Sequence, residues 1–362
     1  MKKTALTLLK AVVSIGILVY IFTKVVNIGS FWTNLKQANP FFFAAAVVGY
    51  LLVQTLSAYR WHLLLRPQNI EISFAKTLGF YFLGMYFNFF LPSSIGGDVF
   101  RIYYLNKETS RLSASTASVF IDRDVGMGGL MVLATAVAAI AGTRVNGFPL
   151  APIFALISVA FIAANLALFY RPTYNLIHRL LKLCRMKRAD EKVERLFESV
   201  NSYRGKWKLL TITMIISIGV QLGCALVNVL SASSIQLNTR HGLIDYLIFI
   251  PTIGLIGMVP ISINGTGWRE MSYILLFQSV ATDANSDTAA AKAATLAFLW
   301  LGVVVITALP GGVIYLLQGS GGKRAATQGG AGASGKNVGP GLEKKESILP
   351  RQSSENEPVS TL

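Results

Sequence analysis

Apolar residues in this chain come in long unbroken runs, not in the one-sided or alternating patterns of soluble helices and strands. A helix needs about 20 apolar residues to cross the hydrocarbon of a bilayer. Six runs bounded by Pro, Gly or charges approach or reach that length: residues 5–26, 41–58, 125–142, 150–170, 207–230 and 293–318. Each predicts a crossing helix, so the predicted fold class is all-α and polytopic. The first run follows Met1, Lys2 and Lys3 without a small-residue cleavage pattern after it, which predicts a retained helix instead of a signal peptide. Two further apolar segments, 74–100 and 243–282, are interrupted by Pro and Gly and predict re-entrant or broken helices.

Composition supports this reading. Hydrophobic residues make up 53% of the 362, charged residues only 14%, and the mean hydropathy is +0.53. Soluble domains carry about a quarter charged residues, so lipid must solvate much of this surface. The net charge of +16 would suggest nucleic acid in a soluble protein. Here Lys and Arg crowd into particular loops, as expected where loops face the cytoplasm, and no nucleic-acid partner is expected.

The most basic stretch, 171–208, includes Arg171, Arg179, Lys182, Lys187, Arg188, Arg195, Arg204, Lys206 and Lys208, interrupted by Leu180, Leu183, Leu196 and Phe197. It reads as cytoplasmic, either as a helix on the inner leaflet drawn to anionic lipids or as a solvated loop. Each crossing changes side, so the other loops follow by parity. The N-terminus, the loop holding Arg60, His62 and Arg66, and the cluster Asp122, Arg123 and Asp124 fall inside. Residues 27–40, 143–149, 231–242 and 283–290 fall outside. Segment 74–100 then begins and ends inside, while 243–282 begins and ends outside. The tail from Gly319 is rich in Gly, Ser, Ala and Lys and predicts a disordered cytoplasmic extension of a membrane domain spanning 1–318. Both termini are thus expected in the cytoplasm, with the chain in the inner, or plasma, membrane. Cys184 and Cys224 fall in different environments and predict no disulfide. His62, His178 and His241 lack ligand spacing, so no metal or other cofactor is expected.

The interrupted segments carry the candidate chemistry. The first ends Leu91-Pro92-Ser93-Ser94-Ile95-Gly96-Gly97-Asp98-Val99-Phe100-Arg101, and the second contains Pro260-Ile261-Ser262-Ile263-Asn264-Gly265-Thr266-Gly267-Trp268-Arg269-Glu270. Aligned on the prolines they share P-x-S-I-x-G-x-x-aromatic-R. Three predicted spans separate them, an odd number, so the second copy would be upside down relative to the first. Paired broken helices of this kind mark substrate sites in inverted-repeat transporters. Pro and Gly free backbone groups that lipid cannot satisfy, freed amides suit an anion, and Arg101 and Arg269 offer planar forks for phosphate. Asp98 and Glu270 would serve as counter-ions, bind an amino head group or carry a proton. Alternatively, both arginines snorkel to the interface with the two acids neutralising them. Candidate substrate-binding residues are Asn88, Ser94, Gly96, Gly97, Asp98, Arg101, Ser262, Asn264, Gly265, Gly267, Arg269 and Glu270, with Asp122, Arg123, Asp124 and Asp245 as further candidates.

With these residues in view the chain resembles the flippase-like membrane family related to the transmembrane region of lysylphosphatidylglycerol synthase, the multiple peptide resistance factor. The motifs are N-x-x-L-P-x-x-x-G-G-D at Asn88 to Asp98 with Arg101 following, Asp122-Arg123-x-x-Gly126, and P-x-S-x-x-G-x-G-x-R-E at Pro260 to Glu270, and the likeness covers about 5–318. The resemblance implies a membrane region that flips an aminoacylated phospholipid made by an attached cytosolic domain. No segment after 318 is expected to fold as such a domain, so the flippase-like half is expected without the synthase. The leading expectation is a translocator of a phospholipid or lipid-linked substrate, recruiting anionic inner-leaflet lipids, with self-association left open. The alternative is a membrane-embedded enzyme or accessory subunit acting on a lipid head group, such as a polyprenyl phosphate or aminoacyl-phosphatidylglycerol. Asp98, Asp122, Asp124 and Glu270 would then supply acid and base. A third option is a scaffold in envelope assembly.

Overall fold

The computed structural model describes residues 12–89, 96–142, 144–145, 148–168, 187–258, 262, 265–283 and 285–330. Among the described residues the fold is all-α apart from a two-residue antiparallel ladder pairing Arg144 with Pro149 and Val145 with Phe148. Residues 1–316 form one compact unit, to which the packing below belongs, and Leu317–Leu362 form another.

Among the described residues four helices, against the six crossings expected, are long and apolar enough to cross a membrane: α3 (Pro40–Leu65), α6 (Leu112–Ala141), α9 (Trp207–Ser234) and the part of α12 (Ser286–Gly330) up to Leu317. Their starts are local chemistry where caps are visible. Asn39 accepts from Phe41 N–H at 2.9 Å while Pro40 takes the first helical position. α7 (Leu150–Leu168) lies at the perimeter, with Leu156, Ile162 and Leu166 all exposed. Exposed apolar residues recur on α3, α6, α9 and α12, as a lipid-facing surface requires.

Hydrogen bonds between loops define two ends of the bundle. At one end Tyr203 Oη donates to Leu64 O (2.7 Å), Gln68 Nε2 to Ser199 O (2.7 Å) and Arg111 Nη1 to Gln68 O (3.3 Å). At the other, Asn39 N–H donates to Ser234 O (2.8 Å), and Lys292 Nζ reaches both Gln236 O (3.1 Å) and Asp283 (2.6 Å). Burial pushes the pKa of the Tyr203 hydroxyl above its ordinary value, which keeps it a donor. Tyr203→Phe is therefore expected to lower stability by about 1 kcal/mol, read as a fall in thermal midpoint in detergent.

Both interrupted segments are helical hairpins, and they enter from opposite ends. α4 (Phe74–Phe87) and α5 (Gly96–Thr109) run antiparallel from the Tyr203 end, with Lys76 paired to Glu108, Phe80 stacked on Tyr104 (5.8 Å) and Phe87 on Phe100 (3.8 Å). α10 (Leu243–Met258) and α11 (Trp268–Val280) run antiparallel from the Asn39 end, with Thr239 bridged to Ala281 and Tyr246 packed on Phe277 (5.0 Å). At a rise of ~1.5 Å per residue these arms are ~20–24 Å long, short of the ~30 Å hydrocarbon. Each hairpin therefore reverses inside the bundle.

The structure corrects several sequence expectations. Arg60 and His62 are not in a loop: α3 continues through them, and Arg60 is only 6% exposed. Asp122, Arg123 and Asp124 lie within α6, well past its start at Leu112, not at the end of a span. Residues 27–40 are not simply a loop, because α2 (Ile28–Gln37) starts there after α1 (Val12–Val25) with a 96° bend between the two. In the basic stretch, α8 (Lys187–Asn201) turns Leu196 and Val200 toward Leu64, Ala117 and Ile121, so that apolar face is covered by protein and not by a leaflet. The backbone of α12 stays helical to Gly330, beyond the expected start of the tail at Gly319.

Candidate functional site

One face of α3 carries Tyr50, Gln54, Ser57 and Arg60, spaced four, three and three residues apart, which is the repeat of a single helical stripe. That stripe forms one wall of a cavity of about 420 Å³. Tyr81, Gly84 and Asn88 of α4, Gly97, Asp98 and Arg101 of α5, and Asp122, Arg123 and Gly126 of α6 form further walls. Met258, Thr266 and Arg269 line it from the second hairpin, and Val220 and Gln221 of α9 with Leu301 and Val304 of α12 also contribute. The tips of both hairpins thus meet at one chamber, and both motif arginines face it.

A buried charge cluster organises the chamber. Asp122 accepts from Arg60 Nε through Oδ1 (2.9 Å) and from Arg101 Nη2 through Oδ2 (2.7 Å). Arg60 Nη1 donates to Ser217 Oγ on α9 (2.8 Å), tying a fourth helix to the cluster. Asp98 receives Arg101 Nη1 (3.2 Å) and Arg123 Nε (2.6 Å). The Arg101 guanidinium lies over the Trp61 ring (4.1 Å to its centroid) and near that of Tyr81 (4.6 Å), and Trp61 is itself held by Ser118 (3.3 Å). These contacts fix the plane of the fork. Its Nε is buried and has no acceptor among the described residues, leaving one donor available.

Arg269 pairs with Glu270 (2.9 Å), whose other carboxylate oxygen accepts from Gly267 N–H (2.6 Å) and so caps α11. Gly267 has φ +84°, and a Cβ there would press on Ser14 O and Ile17 Cβ, both at 3.0 Å. Glycine is required on both counts. Among the lining residues four arginines stand against two aspartates, so the chamber presents net positive charge in a low-dielectric surround. Such a site suits an anion with several oxygens.

Of the expected site residues, Asn88, Gly97, Asp98, Arg101, Arg269, Asp122 and Arg123 line the chamber. Gly96, Ser262, Gly265, Gly267 and Glu270 are not among its lining residues, although Ser262 Oγ is buried without a partner among the described residues. The amides expected to be free at the tips are partly taken: Gly97 N–H points to Asn88 Oδ1 (3.4 Å) and Gly267 N–H to Glu270. Asp124 faces the other side of α6 and lines a separate cleft. Asp245 is fully buried away from the chamber, accepting from His241 N–H (3.0 Å) and meeting its Nδ1 (3.1 Å). Ser94 and Asn264 lie outside the described residues, as do Pro92 and Pro260. Arg60, Ser57, Gln54 and Tyr50 were missed, although their helical spacing was the signal available.

The family model of the lysylphosphatidylglycerol synthase TM region matches residues 7–313. The chain belongs to this family. Together with the apolar helices, that makes it a multi-pass integral membrane protein. It is also 29% identical over 92 residues to a UPF0104 membrane protein of Pyrococcus horikoshii, a match covering 25% of this chain and 28% of that relative. The likeness therefore spans little more than a quarter of the relative's length. No solved structure matches.

Proposed function

We propose that this protein translocates a phospholipid or lipid-linked substrate across the membrane, holding an anionic head group in the chamber between the two hairpin tips. The observation that carries this reading is the convergence of Arg101 and Arg269, delivered by hairpins from opposite ends, on one cavity. Because each hairpin stops inside the bundle, a modest rocking of one against the other would expose the chamber to each leaflet in turn. The shared P-x-S-I-x-G-x-x-aromatic-R pattern supports an inverted repeat, the architecture in which such alternation is common. The spare Nε of Arg101 and the Arg269 fork would receive phosphate oxygens. Asp98, Asp122 and Glu270 are each engaged by arginine, which favours a binding role for them over acid–base work. The concentration of Lys and Arg in residues 171–208 favours a cytoplasmic location for the Tyr203 end.

The test is a proteoliposome assay with fluorescent phosphatidylglycerol, other phospholipids and a polyprenyl phosphate in one leaflet, and an impermeant quencher outside. Wild-type protein should accelerate exchange of at least one phosphate-bearing lipid. Arg269→Gln should reduce that rate about tenfold or more, the equivalent of one charge-assisted hydrogen bond to phosphate. Exchange at the protein-free rate for every lipid tried would overturn the proposal.

A further inference from the structure

A second space, of about 520 Å³, opens on the opposite side of α6 from Asp122. Two residues along a helix turn ~200°, so Asp124 points into it while Asp122 points into the chamber. Phe161 and Ile162 of α7 with Leu210 and Met214 of α9 give it apolar walls. At its rim Ile162, Leu166 and Trp207 are 56%, 68% and 74% exposed, so the cleft opens sideways toward lipid.

Two charges interrupt this apolar lining. Asp124 is half-buried and lies near the side chain of Asn165, whose amide donates to Phe161 O (3.1 Å). Asp124 has no arginine or lysine partner among the described residues, unlike Asp122 and Asp98. Arg204, in the turn before α9, lines the same cleft, is exposed, and makes no side-chain hydrogen bond or ion pair among the described residues. Trp207 stands beside it, a residue type that settles at head-group level. A carboxylate beside hydrocarbon is costly and calls for a partner.

We propose that this cleft binds one phospholipid of the adjacent leaflet whose head group carries both a phosphate and a protonated amine, as in an ethanolamine phospholipid. The phosphate meets Arg204, the ammonium donates to Asp124, and an acyl chain lies along the α7–α9 wall. A purely anionic head group satisfies Arg204 but leaves Asp124 facing like charge. A choline head group has the charge but no N–H for the carboxylate. The site is separate from the translocation chamber, and its occupancy does not depend on what the chamber carries.

Trp207 supplies the readout. Full-length protein is reconstituted in nanodiscs of otherwise identical composition containing ethanolamine, choline or glycerol phospholipids with brominated chains. Quenching from the cleft is the difference between wild type and Trp207→Phe. The ethanolamine lipid should reach half-maximal quenching at about fivefold lower mole fraction than the other two, the scale of one hydrogen bond to a charged group. Asp124→Asn should abolish that preference, and Arg204→Gln should weaken all three lipids. If either variant fails to fold, the wild-type ranking of the three lipids still decides. Equal quenching by all three, or a preference that survives Asp124→Asn, overturns the proposal.

Discussion

Asp122→Ala is expected to destabilise the folded bundle by about 3–5 kcal/mol, because it strips the shared counter-ion from two buried guanidinium groups. Arg60 and Arg101 are 6% and 5% exposed and Asp122 is 1% exposed, so both guanidinium groups lose their shared partner in largely desolvated surroundings. Asp98 would remain as the one acid near Arg101, and it is already engaged by Arg123. The Asp98–Arg123 pair itself should contribute little, since the Arg123 side chain is 49% exposed and solvent screens the interaction. Asp124→Asn provides the comparison within the same helix. Its carboxylate has an amide neighbour and no arginine among the described residues, so its thermal midpoint in detergent should stay close to wild type. Equal midpoints for Asp122→Ala and Asp124→Asn would mean that the charge cluster does not hold α3, α5 and α6 together.

That contrast between neighbouring acids also marks where sequence reasoning reached its limit. Long apolar runs revealed four crossing helices, because that signal is local and additive along the chain, whereas the runs at 5–26 and 150–170 correspond to the bent α1–α2 pair and the shorter α7. The hairpins were legible from Pro and Gly placed in apolar surroundings. Arg60 was not, because a run that ends at the first charge treats every charge as facing water. In the folded bundle α3 turns Arg60 inward with Ser57 and Gln54, where Asp122 and Ser217 satisfy it. The same bias moved Asp122 to a helix end. Glu270 was readable as an acid in a functional motif and Asp245 as one within the second interrupted segment, but one carboxylate oxygen of each is taken by a backbone N–H, of Gly267 and of His241. Which acids pair with arginine and which cap a helix depends on contacts tens of residues apart, as in the 62-residue separation of Arg60 and Asp122.

Gly97→Ala should open the tip of the first hairpin and carry Arg101 with it. A Cβ on Gly97 would overlap the Gly84 carbonyl oxygen and lie 3.2 Å from Asn88 Cβ, so backbone must shift and no flexible side chain can absorb the strain. Overpacking of this kind costs about 1–3 kcal/mol. Its effect on function should exceed that cost, because Gly84 also stands against the Arg101 side chain: a Cβ on Gly84 would sit 2.7 Å from Arg101 Cγ. Separating α4 from α5 therefore moves the guanidinium off the Trp61 and Tyr81 rings and away from Asp122. Gly79 lies on α4 as well, but a Cβ there would meet nothing within 4 Å, so Gly79→Ala should be neutral or stabilise the helix by up to ~1 kcal/mol through helix propensity. Measured side by side, Gly97→Ala should lower both the thermal midpoint and the lipid-exchange rate while Gly79→Ala preserves both. If the two alanines behave alike, close approach of the hairpin arms is not what positions Arg101.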